Sequence, residues 1–292
     1  MNTHAARSTV LSAAQPFVFE HSLSFFCSFP PTAGEQKVGP RTLEKAHALD
    51  GRAVLTTIAE TDHGLSCTVT SEDPLTDEQH ARLIDRVRFQ LSLDDDLALF
   101  DARARADRAF APLARRWRGH HHVKFATPFE ITCWAILAQR NMRMGRPVKD
   151  AIVAALGPSI TVDGVTHRAF PEASALTDAH VVRPLVRTDA EASAISAAAN
   201  VFAAIDVAAT LLRPSFDEAE RFLLALPRIG PWSAAFILFR GLGRMERLAE
   251  RSGPIFAAAR RVYGPKSERE LRAIAESYGP WMGYWALYLR RS

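Results

Sequence analysis

"LLALPRIGPWSAAFILFRGLGRMERL" (residues 223–248) decides how this chain folds. "FDEAERFLLAL" (216–226) has the spacing of an amphipathic helix, and Pro227 stops it. "PRIG" (227–230) is a tight turn. "PWSAAFILFRG" (231–241) then starts a second helix with Pro231 in its first turn, where the missing N–H is not needed. Such a bend has two readings. It is either plain helix packing or a way of presenting unsatisfied backbone N–H groups, aided by the helix dipole, to a phosphate. Arg228, Arg240 and Arg244 add positive charge close by.

Helical patterning continues on both sides of the bend. "TPFEITCWAILAQRN" (127–141) opens with Thr127 as a cap, Pro128 in the first turn and Glu130 at the third position, a capping-box arrangement. Further helices are expected over 147–156, 172–178, 189–204, 215–226, 232–243, 254–262, 268–276 and 280–290, with no repeat period. Residues 127–292 therefore read as an all-α domain. Residues 17–75 look strand-rich: "FVFEHSLSFFCSF" (17–29), "RAVLTTIAE" (52–60) and "GLSCTVTS" (64–71) suggest a meander, with Asp62-His63-Gly64 as a hairpin turn. A helix over 76–93 laid on that sheet completes an α+β unit over 16–100. Residues 1–15 read as a disordered N-terminus without a signal-peptide core, and 101–126 as a linker packed on the core. Asp94, Asp95 and Asp96 can open a helix. His120, His121 and His122 read as a solvated loop rather than metal ligands, because adjacent histidines lack the i, i+4 geometry of a helical pair.

The chain of 292 residues has room for two domains. A formal net charge of +4, with Arg far outnumbering Lys, permits a nucleic-acid partner without establishing one. Cys27, Cys67 and Cys133 are scattered and odd in number, which disfavours a disulfide scaffold, a zinc site or a four-cysteine cluster and suits a reduced, cytoplasmic setting. No apolar run approaches the length of a membrane span.

The bend and its second helix resemble the helix–hairpin–helix motif of the DNA glycosylase superfamily. Within it, the similarity is to the 3-methyladenine DNA glycosylase II, or alkylation-repair, branch. "TPFEITCWAILAQRN" resembles that branch's first core helix and the duplex-probing loop after it, and "YGPWMGYWALYLRR" (278–291) its closing helix. The three separated motifs fall in the right order, and with the sheet domain ahead of the helical core, which also belongs to that branch, the resemblance spans about residues 17–290. The resemblance implies an α+β fold: an N-terminal antiparallel sheet domain, then an all-α helix–hairpin–helix domain. It implies hydrolysis of the N-glycosidic bond of alkylated purines in duplex DNA, with no cofactor and no obligatory protein partner. Trp232, Phe236 and Trp281 would line the base pocket, since electron-rich rings attract a cationic base by about 0.5–2 kcal/mol each, while Tyr284 and Trp285 fit a core. Gln139, Arg140 and Asn141 would sit at the wedge that fills the hole left by a flipped base. Arg228, Ile229, Gly230 and Arg244 would contact DNA.

Three departures stand out. The family's catalytic Asp aligns with Ser252, and the nearest carboxylate is Glu250. Glu250 supplies the charge, or the enzyme acts without a dedicated acid on already cationic bases, or the protein binds damaged DNA without cutting. Second, Arg228 replaces the hairpin's usual first Gly, so a locally different turn is expected. Third, Trp232 stands where strand-cleaving relatives carry a Schiff-base lysine, which implies a glycosylase without Lys-dependent lyase activity.

Overall fold

The computed structural model describes residues 4–62, 64–139, 142–248 and 253–292. Five strands, β1 (Ala5–Leu11), β2 (Gln36–Val38), β3 (Thr42–Leu49), β4 (Arg52–Thr61) and β5 (Gly64–Ser71), form an antiparallel sheet in the order β1-β5-β4-β3-β2. Asp50 and Gly51 turn β3 into β4 with φ of 51° and 78°, the left-handed pair that suits a tight hairpin. Thr61 faces Gly64 across the β4–β5 reversal, as the hairpin expectation required, although His63 lies outside the described residues. Helices α1 (Phe19–Ser28) and α2 (Asp77–Leu91) bury Phe19, Leu23, Phe26, Leu83 and Val87 in one core with Leu43, Ile58 and Val69 of the sheet.

Two expectations for this region are corrected. Among the described residues of 1–15, a strand replaces the expected frayed end: β1 pairs with β5 from Ala5 opposite Ser71 to Leu11 opposite Leu65, while residues 1–3 lie outside the described residues. Residues 17–29 are not a strand. Phe19, Leu23 and Phe26 fall at i, i+4 and i+7, and that spacing buries one helix face.

The remaining helices are α3 (Ala98–Ala106), α4 (Ala111–Arg116), α5 (Pro128–Leu137), α6 (Met142–Leu156), α7 (Ala179–Val182), α8 (Asp189–Ala204), α9 (Phe216–Leu224), α10 (Pro231–Leu242), α11 (Gly253–Tyr263), α12 (Glu268–Glu276) and α13 (Met282–Leu289). They gather around two cores. One joins α5, α8, α9 and α10 through Trp134, Ile195, Leu223 and Ile237. The other joins α3, α4, α11, α12 and α13 through Phe100, Phe110, Phe256, Leu271 and Trp285. Within 101–126, Ala104, Phe110 and Ala114 belong to the second core, whereas Val123 lies in the sheet core and Phe125 in the first helical core. Asp96 accepts the Ala98 N–H at the start of α3, so only the last of the three aspartates helps open it.

The helical part is not all-α. A hairpin of β6 (Ser159–Val162) and β7 (Val165–Arg168) turns on Asp163 and Gly164, with φ of 51° and 78°, and Ile160 packs on Ala53 and Leu55 of the sheet. Residues 172–178 carry only a 3-10 turn over Ala173–Leu176. The triple histidine is no solvated loop: His120, His121 and His122 are all buried. His121 bonds the carbonyls of Ser92 at 2.7 Å and Pro16 at 2.9 Å, and His122 bonds the Phe239 carbonyl at 3.0 Å. Burial holds the His120 and His122 imidazoles neutral, well below their ordinary pKa.

Candidate functional site

The bend between α9 and α10 lies open. Pro227, Gly230 and Pro231 are exposed, and a Cβ built on Gly230 would meet nothing within 4 Å. Arg228 adopts φ of 63°, in the left-handed region that favours glycine, at a strain of about 1 kcal/mol. Ile229 anchors the bend: its side chain is buried and its N–H bonds the Leu226 carbonyl at 3.2 Å. Ile229 thus offers neither group to a ligand. The first turn of α10 has no side-chain cap, so its leading N–H groups gain no side-chain partner from the N-cap Gly230.

Gln139 follows α5 and donates its side-chain amide to the Arg228 carbonyl, bracing the loop against the bend. Arg140 and Asn141 lie outside the described residues, as do Glu250 and Ser252. The structure therefore places neither the wedge nor the carboxylate.

Behind the bend, Trp232 and Phe236 stack with ring centroids 5.2 Å apart and an interplanar angle of 8°. Both are half-buried, and Phe239 continues the stripe one helical turn on. Phe239 went unassigned in the sequence, although its i, i+4, i+7 spacing from Trp232 was legible there. Phe236 packs on the first helical core and Phe239 on the second, so α10 runs between them. Trp281 is half-buried against the second core, and no ring contact joins it to Trp232 or Phe236 among the described residues. Tyr284 and Trp285 are fully buried, as a core role requires.

Two of the nearby arginines are committed inside the protein. Arg244 donates to Glu246 at 2.6 Å and to the Leu211 carbonyl at 2.8 Å, which removes it from the exposed face. Arg240 is buried against Phe25, Phe29 and Phe239, with its guanidinium carbon 4.9–5.6 Å from the ring centroids, and it bonds His122 Nδ1 at 3.3 Å. Burial, with Arg290 and Arg291 nearby, pulls its pKa down to about 9, so it remains a cation at neutral pH.

The chain shares its fold with solved DNA glycosylases. A 3-methyladenine DNA glycosylase from Archaeoglobus fulgidus superposes with a TM-score of 0.75 at 20% identity, over 97% of this chain and 96% of its own. A Clostridium acetobutylicum 8-oxoguanine glycosylase/lyase superposes at 0.66 and 13% identity, over 99% of both chains. In sequence the chain is similar to curated DNA-repair proteins. The Bacillus subtilis DNA-3-methyladenine glycosylase is 27% identical over 176 residues, which are 58% of this chain and 57% of that protein. A probable bifunctional transcriptional activator/DNA repair enzyme AlkA from Mycobacterium tuberculosis is 25% identical over 204 residues, 68% of this chain but 40% of the relative. The chain thus spans about half the length of these curated relatives. No family model matches it.

Proposed function

We propose that the chain is a monofunctional DNA glycosylase that releases alkylated purines of the 3-methyladenine type from duplex DNA. The observation that carries this is the exposed, uncapped start of α10, held in left-handed geometry at Arg228, with the stacked Trp232–Phe236 pair directly behind it. Amides there grip a phosphate, and the rings receive a flipped, cationic base. The names of the relatives support the substrate class.

In the reaction the C1′–N bond breaks and its electron pair leaves with the base, which departs neutral because alkylation had made it cationic. Water adds its oxygen to C1′ and gives up a proton, leaving an abasic site. A carboxylate beside C1′ would stabilise the developing positive charge, and Glu250 is the group in this sequence assigned that role. Trp232 at the lysine position supports hydrolysis without a Schiff base.

The test is base release from methylated duplex DNA by the full chain and by Glu250→Gln. The variant should release base about 100-fold more slowly. Equal rates would remove Glu250 from the mechanism, and no release by the parent protein would leave only damage binding.

A further inference from the structure

The bend between α9 and α10 is held from outside. Gln139 donates its side-chain amide to the Arg228 carbonyl, which ties the left-handed residue of the turn to the end of α5. Two residues before Gln139, the Leu137 carbonyl closes the last turn of α5, where carbonyls lose their intrahelical partners. Arg187, just ahead of α8, takes that oxygen: its Nη2 donates to it at 2.7 Å. The α6 backbone lies close on another side, since a Cβ built on Gly145 would come within 3.2 Å of the same oxygen.

Arg187 is itself locked. Its guanidinium donates to Glu191 from Nη2 at 2.5 Å and from Nε at 3.1 and 3.2 Å, and the same carboxylate takes the Arg187 backbone N–H at 3.0 Å. Glu191 is buried in the first turn of α8. Burial pushes its carboxyl up, but the Arg187 bonds, helped by the charge of Arg228, outweigh it and hold the group below the usual carboxylate range. The planar fork of an arginine can serve carboxylate and carbonyl together. Only the bond to Leu137 leaves the start of α8, and Gln139 carries that link on to the bend.

We propose that Arg187 is a positioning residue for the bend: it fixes the end of α5, and through Gln139 it holds the Arg228 peptide in the orientation that aims the start of α10 at a phosphate. The ligand, duplex DNA, rests on the excision reading; the brace itself does not.

Hydrogen exchange on the full chain without DNA tests the brace. Arg187→Met should speed exchange of the Arg228, Ile229 and Gly230 amides about tenfold and leave α12 at the parent rate. Affinity for a short duplex carrying a tetrahydrofuran abasic-site analogue should fall about tenfold, the worth of one hydrogen bond to a charged group. The slope of log affinity against log salt should stay the same, because Arg187 touches no phosphate. A slope lower by about one would make Arg187, with 27% of its side chain exposed, a direct phosphate contact and overturn the proposal. So would bend amides that exchange at the parent rate, or unchanged affinity in a folded variant. Adding Gln139→Leu to Arg187→Met should cost no further affinity, since both cut one path, and additive losses would refute that path. Arg187→Met alone leaves Glu191 buried without its partner, so Arg187→Met combined with Glu191→Met repeats each measurement with the pair removed whole. A parent chain that binds no duplex would sink the excision reading, while the exchange result still decides the brace.

Discussion

At single positions, the structure turns sequence oddities into measurable trade-offs. Arg228 holds a left-handed backbone that glycine would occupy freely. Arg228→Gly should therefore raise stability by about 1 kcal/mol. If its guanidinium meets a phosphate, the same change should lower the slope of log affinity against log salt by about one unit. A thermal melt and a salt series on one DNA duplex measure the two effects. Trp232→Ala removes the upper ring of the stack, and kcat/KM for a cationic base should fall about 3- to 30-fold. An uncharged base such as hypoxanthine should lose less, because the cation–π part is missing. Equal losses for both would mean that the ring only fills space. The triple histidine shows where the sequence was silent: three adjacent polar residues looked solvated, and only the tertiary fold supplied the carbonyls that allow two of them to be buried.

Among the elements, legibility followed the caps. Thr188 and Ser267 cap α8 and α12, and both helices occupy the ranges the sequence marks, 189–204 and 268–276. Thr127 caps α5 as expected, its hydroxyl accepting the Glu130 N–H at 3.1 Å. The box is not closed, because the Glu130 carboxylate turns instead to Lys149 at 2.7 Å. Thr127→Ala should cost about 1 kcal/mol, seen as a melting point lower by about 2–4 °C. A change of that size with unchanged base release would confine the hydroxyl to folding. The elements misread had competing signals. The aromatic content of 17–29 suggested a strand while its spacing was helical. The edge strand β1 buries only Leu11, so its pattern hardly alternates. The β6–β7 hairpin carried a legible Asp-Gly signal that the helical context hid.

For the molecule as a whole, a buried charge cluster ties the two parts together. Lys149 of α6, with no exposed side-chain surface, bonds Glu130 at 2.7 Å and Glu35 at 2.6 Å, and Lys45 lies 3.5 Å from Glu35. Burial pushes the Glu35 carboxyl up, but Lys149 and Lys45 outweigh it and hold the group below the usual carboxylate range. Its contribution to stability is therefore present above the ordinary Glu pKa and fades as pH falls through the lowered one. Lys149→Met should destabilise the chain by about 3–5 kcal/mol at neutral pH. Denaturant melts of parent and variant should converge as the solution is acidified, and a gap constant with pH would sink the assignment. The overall architecture was legible because its three motifs are local, whereas this cluster joins residues more than a hundred positions apart and left no local trace. A last consequence concerns α10. Arg240 places a cation by the negative end of that helix, deep among phenyl rings, while the opposite end opens to solvent bare. The helix thus behaves as an electrode with one terminal insulated, and any pull of its open end on an anion would be set partly by a side chain at the other end.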